Sequence, residues 1–379
     1  ELSISEKQVK KAVDRVKKAI KNKEKIIIYG DYDADGICAT AILWETLYSL
    51  DKNTLPYIPE RFSEGYGLNI ESLKNLKKKY PDLGLVITAD HGIVAHKKVD
   101  FAKELGIDII ITDHHLPEKI LPKAYSVIHT TKIGGAAVAW VFSREIAESS
   151  RLKAQSSKLS ESLEVAAIGT IADQLPLVGP NRSFAKYGLE SLNKTKRVGL
   201  LALIEEAGLS QRQIGSYGVG FMIAPRLNAM GRLEHAIESL RLLCTTNRKR
   251  AKDLAIHLKR VNLERQKVVE GVVAHTKGSL TTDTLESVIV LAHESYHEGV
   301  IGLAASKLVE EFYRPAIVFS KKEKIAKASA RSISGFNIIE AIRKLDGFLL
   351  EGGGHPMAAG FSIETSRIEE FRQQLNKVA

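Results

Sequence analysis

The stretch "YGDYDADGICAT", residues 29–40, sets Asp31, Asp33 and Asp35 at alternate positions in one tight turn. Carboxylates crowded in this way repel one another and raise each other's pKa, so a cation is expected among them. The same kind of chemistry recurs along the chain. "LVITAD" ends at Asp90 and is followed by His91; "IIITDHH" ends at Asp113, His114 and His115; "AAIGTIAD" ends at Asp173. Four apolar segments therefore stop at carboxylate or imidazole. Such a donor set suits Mn²⁺ and also accepts Mg²⁺, Fe²⁺, Co²⁺ or Zn²⁺. The acids outnumber what one ion needs, which points to two ions, the arrangement that clamps both oxygens of a phosphoryl transfer. A calcium loop of the EF-hand type is a poor reading, because it needs helices on both sides and a glutamate near its twelfth position. Here a buried strand comes first.

The elements that must carry these groups can be read from the apolar pattern. Residues 25–30, 83–90 and 107–113 are continuous apolar runs, as expected for parallel strands buried on both faces. They alternate with helical stretches at 37–50, 95–106 and 136–149, and an amphipathic helix with Val9, Val13, Val16 and Ile20 on one face precedes them. Residues 162–173 read equally as helix or strand. The alternation predicts an open α/β sheet, in which ligands gather at the carboxyl ends of the strands. Residues 149–160, rich in serine and lysine, read as an exposed connection. Residues 184–276 read as mostly helical, ending in a long basic helix. New strands at "LESVIVLAHE" and "RPAIVFS" predict a second α/β domain. The expected division is 1–245 for the first domain with its helical part, 246–276 for the connecting helix and 277–379 for the second domain.

The composition agrees with this picture. The chain has 379 residues and a formal net charge of +10, which favours an anionic partner such as nucleic acid. Its two cysteines, Cys38 and Cys244, have no metal-ligand spacing and fit a reducing cytoplasm. No apolar run approaches the roughly 18–20 residues that a membrane span requires, and the first residues are no signal peptide.

The motifs "GDYDADG", "TADHG", "TDHH" and "GTIADQLPL" resemble the four motifs of the DHH phosphoesterase superfamily. "GFMIAPRLNAMGRLEHA" (220–236) resembles the segment that follows them in the RecJ exonuclease family. "HEGVIGLAASKLVEEFYRPAIVF" (297–319), "ASARSISGFNIIEAI" (328–342) and "GGGHPMAAGFSI" (352–363) resemble that family's DHH-associated domain. The resemblance covers residues 24 to 370. It implies two α/β domains, a parallel-sheet DHH domain and a smaller DHH-associated domain, joined by a long helix with a cleft between them. It implies metal-assisted 5′→3′ hydrolysis of single-stranded DNA to 5′-mononucleotides, with Mn²⁺ as the expected ion pair and Mg²⁺ as the alternative.

By the same resemblance, Asp31, Asp33, Asp35, Asp90, His114, His115 and Asp173 form the metal site. Asp90 is the expected bridge, and Asp31 or His115 stands as ligand or as the group that orients one, a role open to Asp113 too. The family usually has asparagine where this chain has His91, expected here to hydrogen-bond, with an extra ligand as the alternative. Arg61, Tyr66, Asn228 and Arg232 are the expected substrate contacts of the first domain. Ser329, Arg331, Ser332, Gly353, Gly354 and His355 are those of the second, where the glycines let backbone approach phosphate closely; taken alone, the glycine-rich stretch would read as a tight connection. Taken alone, Asn228 and Arg232 would read as a helix cap and a surface arginine. His293 and His297 lack further nearby ligands, so no zinc site is expected there. A monomer that works with a single-strand-binding protein or a helicase in DNA repair follows from the resemblance. Many family members carry an OB-fold domain beyond this point. Its absence before Ala379 implies weaker strand binding and steeper salt dependence, or else a piece of a longer chain. Two alternatives remain: a DHH oligoribonuclease or nucleotide phosphatase, and a non-catalytic replication scaffold, which would have lost metal ligands that this chain keeps.

Overall fold

The computed structural model describes residues 2–149, 155–279 and 286–379. It divides into two compact units, Glu1–Asn262 and Leu263–Ala379.

In the first unit the apolar runs become strands β1 (Lys25–Gly30), β2 (Thr54–Tyr57), β3 (Leu83–Ala89), β4 (Asp108–Asp113) and β5 (Ser126–His129), all parallel, in the order β2-β1-β3-β4-β5. The intervening helices are α1 (Glu6–Lys21), α2 (Ala34–Leu50), α3 (Ile70–Lys79), α4 (His96–Glu104) and α5 (Gly135–Ser149). Alternate residues of one strand enter different cores. Ile26 and Ile28 pack with α1, α2 and α5, whereas Ile27 and Tyr29 pack with α3 and α4. Burial on both faces explains why the runs are continuously apolar. With this strand order the chain switches direction between β1 and β3, and the crevice at that switch is the expected ligand position.

Further helices complete this unit: α6 (Gln155–Ala172), α7 (Gly179–Leu192), α8 (Val198–Glu206), a π-helical turn (Gly218–Ile223), α9 (Ala224–Leu233) and α10 (Ile237–Cys244). The long helix α11 (Arg248–Ser279) crosses from one unit to the other. Residues 162–172, which the sequence leaves open between helix and strand, belong to a helix, so Asp173 follows the end of α6. The reason is packing: Gly169 lets α6 approach so closely that an added Cβ would lie 2.6 Å from Ala136 Cβ and 2.3 Å from Asp35 Oδ1. The connection placed at 149–160 is also shorter, since α6 begins at Gln155; residues 150–154 lie outside the described ones. The short strands β2 and β5 have too few residues to show a period in the sequence.

The second unit holds β6 (Ile289–His293), α12 (Ile301–Phe312), β7 (Ala316–Lys321), β8 (Ile325–Arg331), α13 (Ile338–Arg343), β9 (Leu349–His355), β10 (Ala358–Glu364) and α14 (Ile368–Val378). Its sheet runs β6-β7-β8-β10-β9, parallel only between β6 and β7. The glycine-rich stretch, which taken alone would read as a tight connection, forms the edge strand β9, followed by a hairpin through Pro356 and Met357. Glycines suit it because Gly354 lies so close to β10 that a Cβ would be 2.5 Å from Ala358 O.

Candidate metal centre

The first acidic turn leaves β1 and enters α2. Asp33 caps that helix, accepting from Gly36 N at 2.9 Å. Asp31 Oδ1 accepts from Tyr32 N at 2.7 Å, and Asp31 is 3 % exposed. Asp35 lies in the first turn of α2, and the N-terminus of α5 donates to it, from Gly135 N at 2.7 Å and Ala136 N at 3.0 Å. Asp90 follows β3, the direct neighbour of β1, in a left-handed conformation with φ +70°. That backbone is unfavourable for a non-glycine residue and is held here by the surrounding structure. Asp90 accepts no hydrogen bond at Oδ1, although the atom is buried.

His114 joins these acids. Its Nε2 lies 3.2 Å from Asp90 Oδ1, 3.5 Å from Asp173 Oδ2 and 3.9 Å from Asp35 Oδ2, again without a hydrogen bond of good geometry. Three overlapping sets have ligand atoms within 4.8 Å of one another: Asp31, Asp33 and Asp90; Asp35, His114 and Asp173; Asp90, His114 and His115. Asp90 and His114 each belong to two of them. All seven acidic and imidazole side chains expected at the site are therefore brought together.

The electrostatics describe buried carboxylates crowded against one another. Burial, then neighbouring carboxylates, push Asp31, Asp35 and Asp90 well above the usual carboxylate range. Asp173 is pushed up to about 7 by burial and by Asp33. Burial lowers His114 to about 4, leaving it neutral with a lone pair to offer. Buried acceptors without donors, interleaved with a neutral imidazole, fit divalent cations.

Asp113 gives no ligand atom to any set. Its Oδ1 accepts from His114 N, His115 N and His115 Nδ1 at 2.7, 3.1 and 2.8 Å, and its Oδ2 accepts from Ile93 N at 2.8 Å. These bonds offset its burial and lower it to about 2. His115 is raised to about 9 against the cost of burial, mainly by its hydrogen bond and ion pair with Asp113. His91 turns away from the cluster: its Nε2 donates to Tyr29 O at 2.8 Å, and burial lowers it to about 4. It sits in none of the ligand sets and occupies the hydrogen-bonding role, as expected.

The substrate candidates of the first unit flank the acids. The Arg61 guanidinium lies 4.9 Å over the Tyr32 ring, and the half-exposed Tyr66 meets Tyr32 and His115 edge-on at 6.2 and 6.3 Å. Asn228 and Arg232 both lie on α9. Asn228 Oδ1 accepts from Ala34 N at 2.8 Å, so this amide oxygen latches the start of α2. In the second unit, Arg331 and His355 both pair with Ala358, and Ser329 and Gly353 both pair with Gly360. One face of that sheet thus carries Ser329, Arg331 and His355 with only small residues between. Ser332 is buried and donates to Phe336 O at 2.6 Å. The groups that sequence reasoning missed are the Gly135 and Ala136 amides; the glycine pair opening "GGAAVAW" was the available signal.

The first unit matches the DHH family, N-terminal domain, over residues 25–170, and the second matches the DHHA1 domain over residues 285–379. Fold and acid cluster together define a two-domain protein of the DHH class. The chain is 34% identical over 402 residues to the single-stranded-DNA-specific exonuclease RecJ of Dickeya dadantii, covering 97% of this chain and 68% of that protein. It is 41% identical to the RecJ of Bacillus subtilis, over 98% of this chain and 48% of that protein. The chain belongs to the RecJ family. A crystal structure of RecJ with Mn²⁺ from Thermus thermophilus superposes with a TM-score of 0.87 at 32% identity, over 100% of this chain and 55% of that one. The chain therefore spans about half the length of some relatives.

Proposed function

We propose that this chain hydrolyses single-stranded DNA from its 5′ end to 5′-mononucleotides, using two divalent cations, Mn²⁺ by preference. The observation that carries the reading is the set of interlocking ligand triads at the sheet's switch point, sharing Asp90 and His114. The membership in the RecJ family supplies the substrate class, and a manganese-bound relative supports the ion.

Asp31, Asp33 and Asp90 would hold one ion; Asp35, His114 and Asp173 would hold the other, with Asp90 between them. Bound there, the ions neutralise the phosphodiester and lower the pKa of water at neutral pH. The protein's own work is positioning. The α5 amides fix Asp35, and the Asn228 amide fixes the first turn of α2. Asp113 keeps His115 protonated at Nδ1 and turned to the site. The imidazolium then stabilises charge on the phosphate and can hold a proton at Nε2. Arg61 and Arg232 suit a 5′-phosphate, Tyr66 offers a face to a base, and Ser329, Arg331 and His355 with Gly353 and Gly354 are the second unit's own nucleotide-contact candidates. A monomer in the cytoplasm, supplied with strand by a single-strand-binding protein or helicase, belongs to the same reading. Among the described residues no helix is long and apolar enough to cross a membrane.

The test uses 5′- and 3′-labelled oligonucleotides, as DNA and RNA, long and short, with Mn²⁺. Mononucleotide release from the 5′ label of long DNA, reduced at least about a thousandfold in Asp90→Asn, is the expected result. Cleavage confined to short RNA would assign an oligoribonuclease, and binding without cleavage a scaffold.

A further inference from the structure

A cavity of about 730 Å³ lies in the first unit, away from the acid cluster, along the open edge of β2. Its walls are aromatic and aliphatic: Trp44 from α2, Leu55 and Tyr57 from β2, Tyr80 after α3, and Leu240 from α10. The charged and titratable groups that line it are Lys79, His235, Arg241 and Arg250, and no carboxylate does. The same flank carries further cations on rings. Lys25 and Lys79 lie 4.9 and 5.3 Å over Tyr80, and Lys52 lies 3.8 Å over Tyr48, which packs on Trp44 at 5.0 Å.

An open sheet edge ordinarily invites another strand. This one hinders it. Asn53 O accepts from Ile26 N of β1, so the outward peptide groups alternate onto Thr54 and Pro56. The Thr54 carbonyl is taken by the Trp44 indole at 3.2 Å, and Pro56 has no N–H to offer. Backbone pairing is hindered at these two groups, while the rings and the exposed cations Lys79 and Arg250 remain; Arg241 already pairs with Glu238. Rings that bases can stack on, interleaved with cations that track phosphates, are the recognition chemistry of single strands. Trp44 lies nine residues along α2 from Asp35, about 13 Å at 1.5 Å per residue, too far for a ligand here to be the nucleotide that reacts. At the other end the groove reaches His235, near Glu64 in the loop that carries Arg61 and Tyr66.

We propose that this groove binds the part of a single-stranded nucleic acid that lies beyond the reacting nucleotide, with bases on Trp44 and Tyr80 and phosphates at Lys79 and Arg250. The assignment rests on the nuclease reading for its substrate class. The probe is built in: Trp44 and Trp140 are the two tryptophans, so Trp140→Phe leaves Trp44 as the sole reporter. Its emission is followed in EDTA, without cleavage, as oligothymidylates of two to twelve nucleotides are added. Quenching that strengthens with length is expected. Lys79→Glu/Arg250→Glu, two exposed positions, should weaken the long oligomer more than the dinucleotide. The same pair should lower the slope of log K against log salt by about 1.4, two contacts at about 0.7 each. Tyr80→Leu should weaken the long oligomer about tenfold, with Tm checked for each variant. Absence of quenching, equal saturation by thymidine monophosphate, or an unchanged salt slope in the charge-reversed pair would overturn the assignment. Cleavage without any Trp44 response sinks the groove and spares the nuclease reading. A Trp44 response without Mn²⁺-dependent cleavage spares the groove as a strand-binding surface and sinks the nuclease.

Discussion

At the scale of single residues, the acid cluster depends on neighbours that offer it no ligand atom. Asp113 spends both carboxylate oxygens on backbone amides and on His115. Removing its charge removes the main reason that His115 holds a proton. In Asp113→Asn, metal-free, the His115 pKa should fall from about 9 toward the ordinary value near 6.5. A histidine-ring NMR titration against pH reads this directly, and a value that stays near 9 would refute the ion pair. Gly135 matters through what it lacks, since a Cβ there would stand 2.1 Å from Asp90 Oδ1. Alanine favours a helix, so Gly135→Ala should fold, with overpacking costing on the order of 1–3 kcal/mol. It should nonetheless displace Asp90 and weaken Mn²⁺ binding about 10–100-fold, as read by calorimetric titration. Unchanged affinity would mean that Asp90 is not where the ion binds.

At the scale of elements, one half-buried arginine ties the helices behind the site together. Arg197, before α8, makes a bidentate pair with Glu45 of α2 at 2.7 and 2.7 Å, lies 3.2 Å from Glu164 of α6, and donates to Leu243 O of α10. Glu164 is 2 % exposed, so losing its partner strands a buried charge. Arg197→Met should cost about 3–5 kcal/mol in urea unfolding, and Arg197→Met/Glu164→Leu should recover part of it. If the double variant is no more stable than the single, the stranded charge is not the cause. None of this network was legible in the sequence, because its members lie more than 30 positions apart and look like surface charges. The strands β1, β3 and β4 were legible, since burial on both faces leaves a continuous apolar signature at 25–30, 83–90 and 107–113. The α6 segment was ambiguous for a physical reason: it is buried nearly all round between α2, α5 and α7, so its small apolar residues show no period. The four acid motifs were readable as a set because each lies where a buried element ends. The amides that hold Asp35 were signalled only by the glycine pair opening "GGAAVAW", since a main-chain donor itself leaves no mark on residue type. Residue type likewise does not reveal that the Asn228 amide oxygen accepts from the Ala34 peptide.

At the scale of the whole molecule, the cluster sets a conflict between stability and charge. Each group whose folded pKa lies above its unfolded value binds more protons in the folded state, so stability falls as pH rises between the two values. Asp31, Asp35 and Asp90 are raised, Asp173 reaches about 7 and His115 about 9. His91 and His114 are lowered to about 4, so their opposite contribution is complete once pH exceeds about 6.5, the unfolded histidine value. Between pH 6.5 and 9 Asp173 and His115 titrate, and both act in one direction, the direction in which Asp31, Asp35 and Asp90 are also raised. In EDTA, Tm should therefore fall across this window. One proton corresponds to about 1.4 kcal/mol per pH unit, and each kcal/mol to about 2–4 °C in a unit of this size. A divalent cation bound among these carboxylates would offset their repulsion and compete with the same protons. The Tm gained with Mn²⁺ should accordingly grow from pH 6.5 to pH 9, by several degrees. Asp90→Asn separates the two effects, because it removes repulsion and a ligand together: its Tm in EDTA should exceed that of the unaltered chain at pH 8.5, while its response to Mn²⁺ should be largely lost. Scanning calorimetry at three pH values decides the matter. A Tm in EDTA that is flat or rising with pH would show that the acids are not in conflict, and that the fold itself supplies the charge assigned here to the ions.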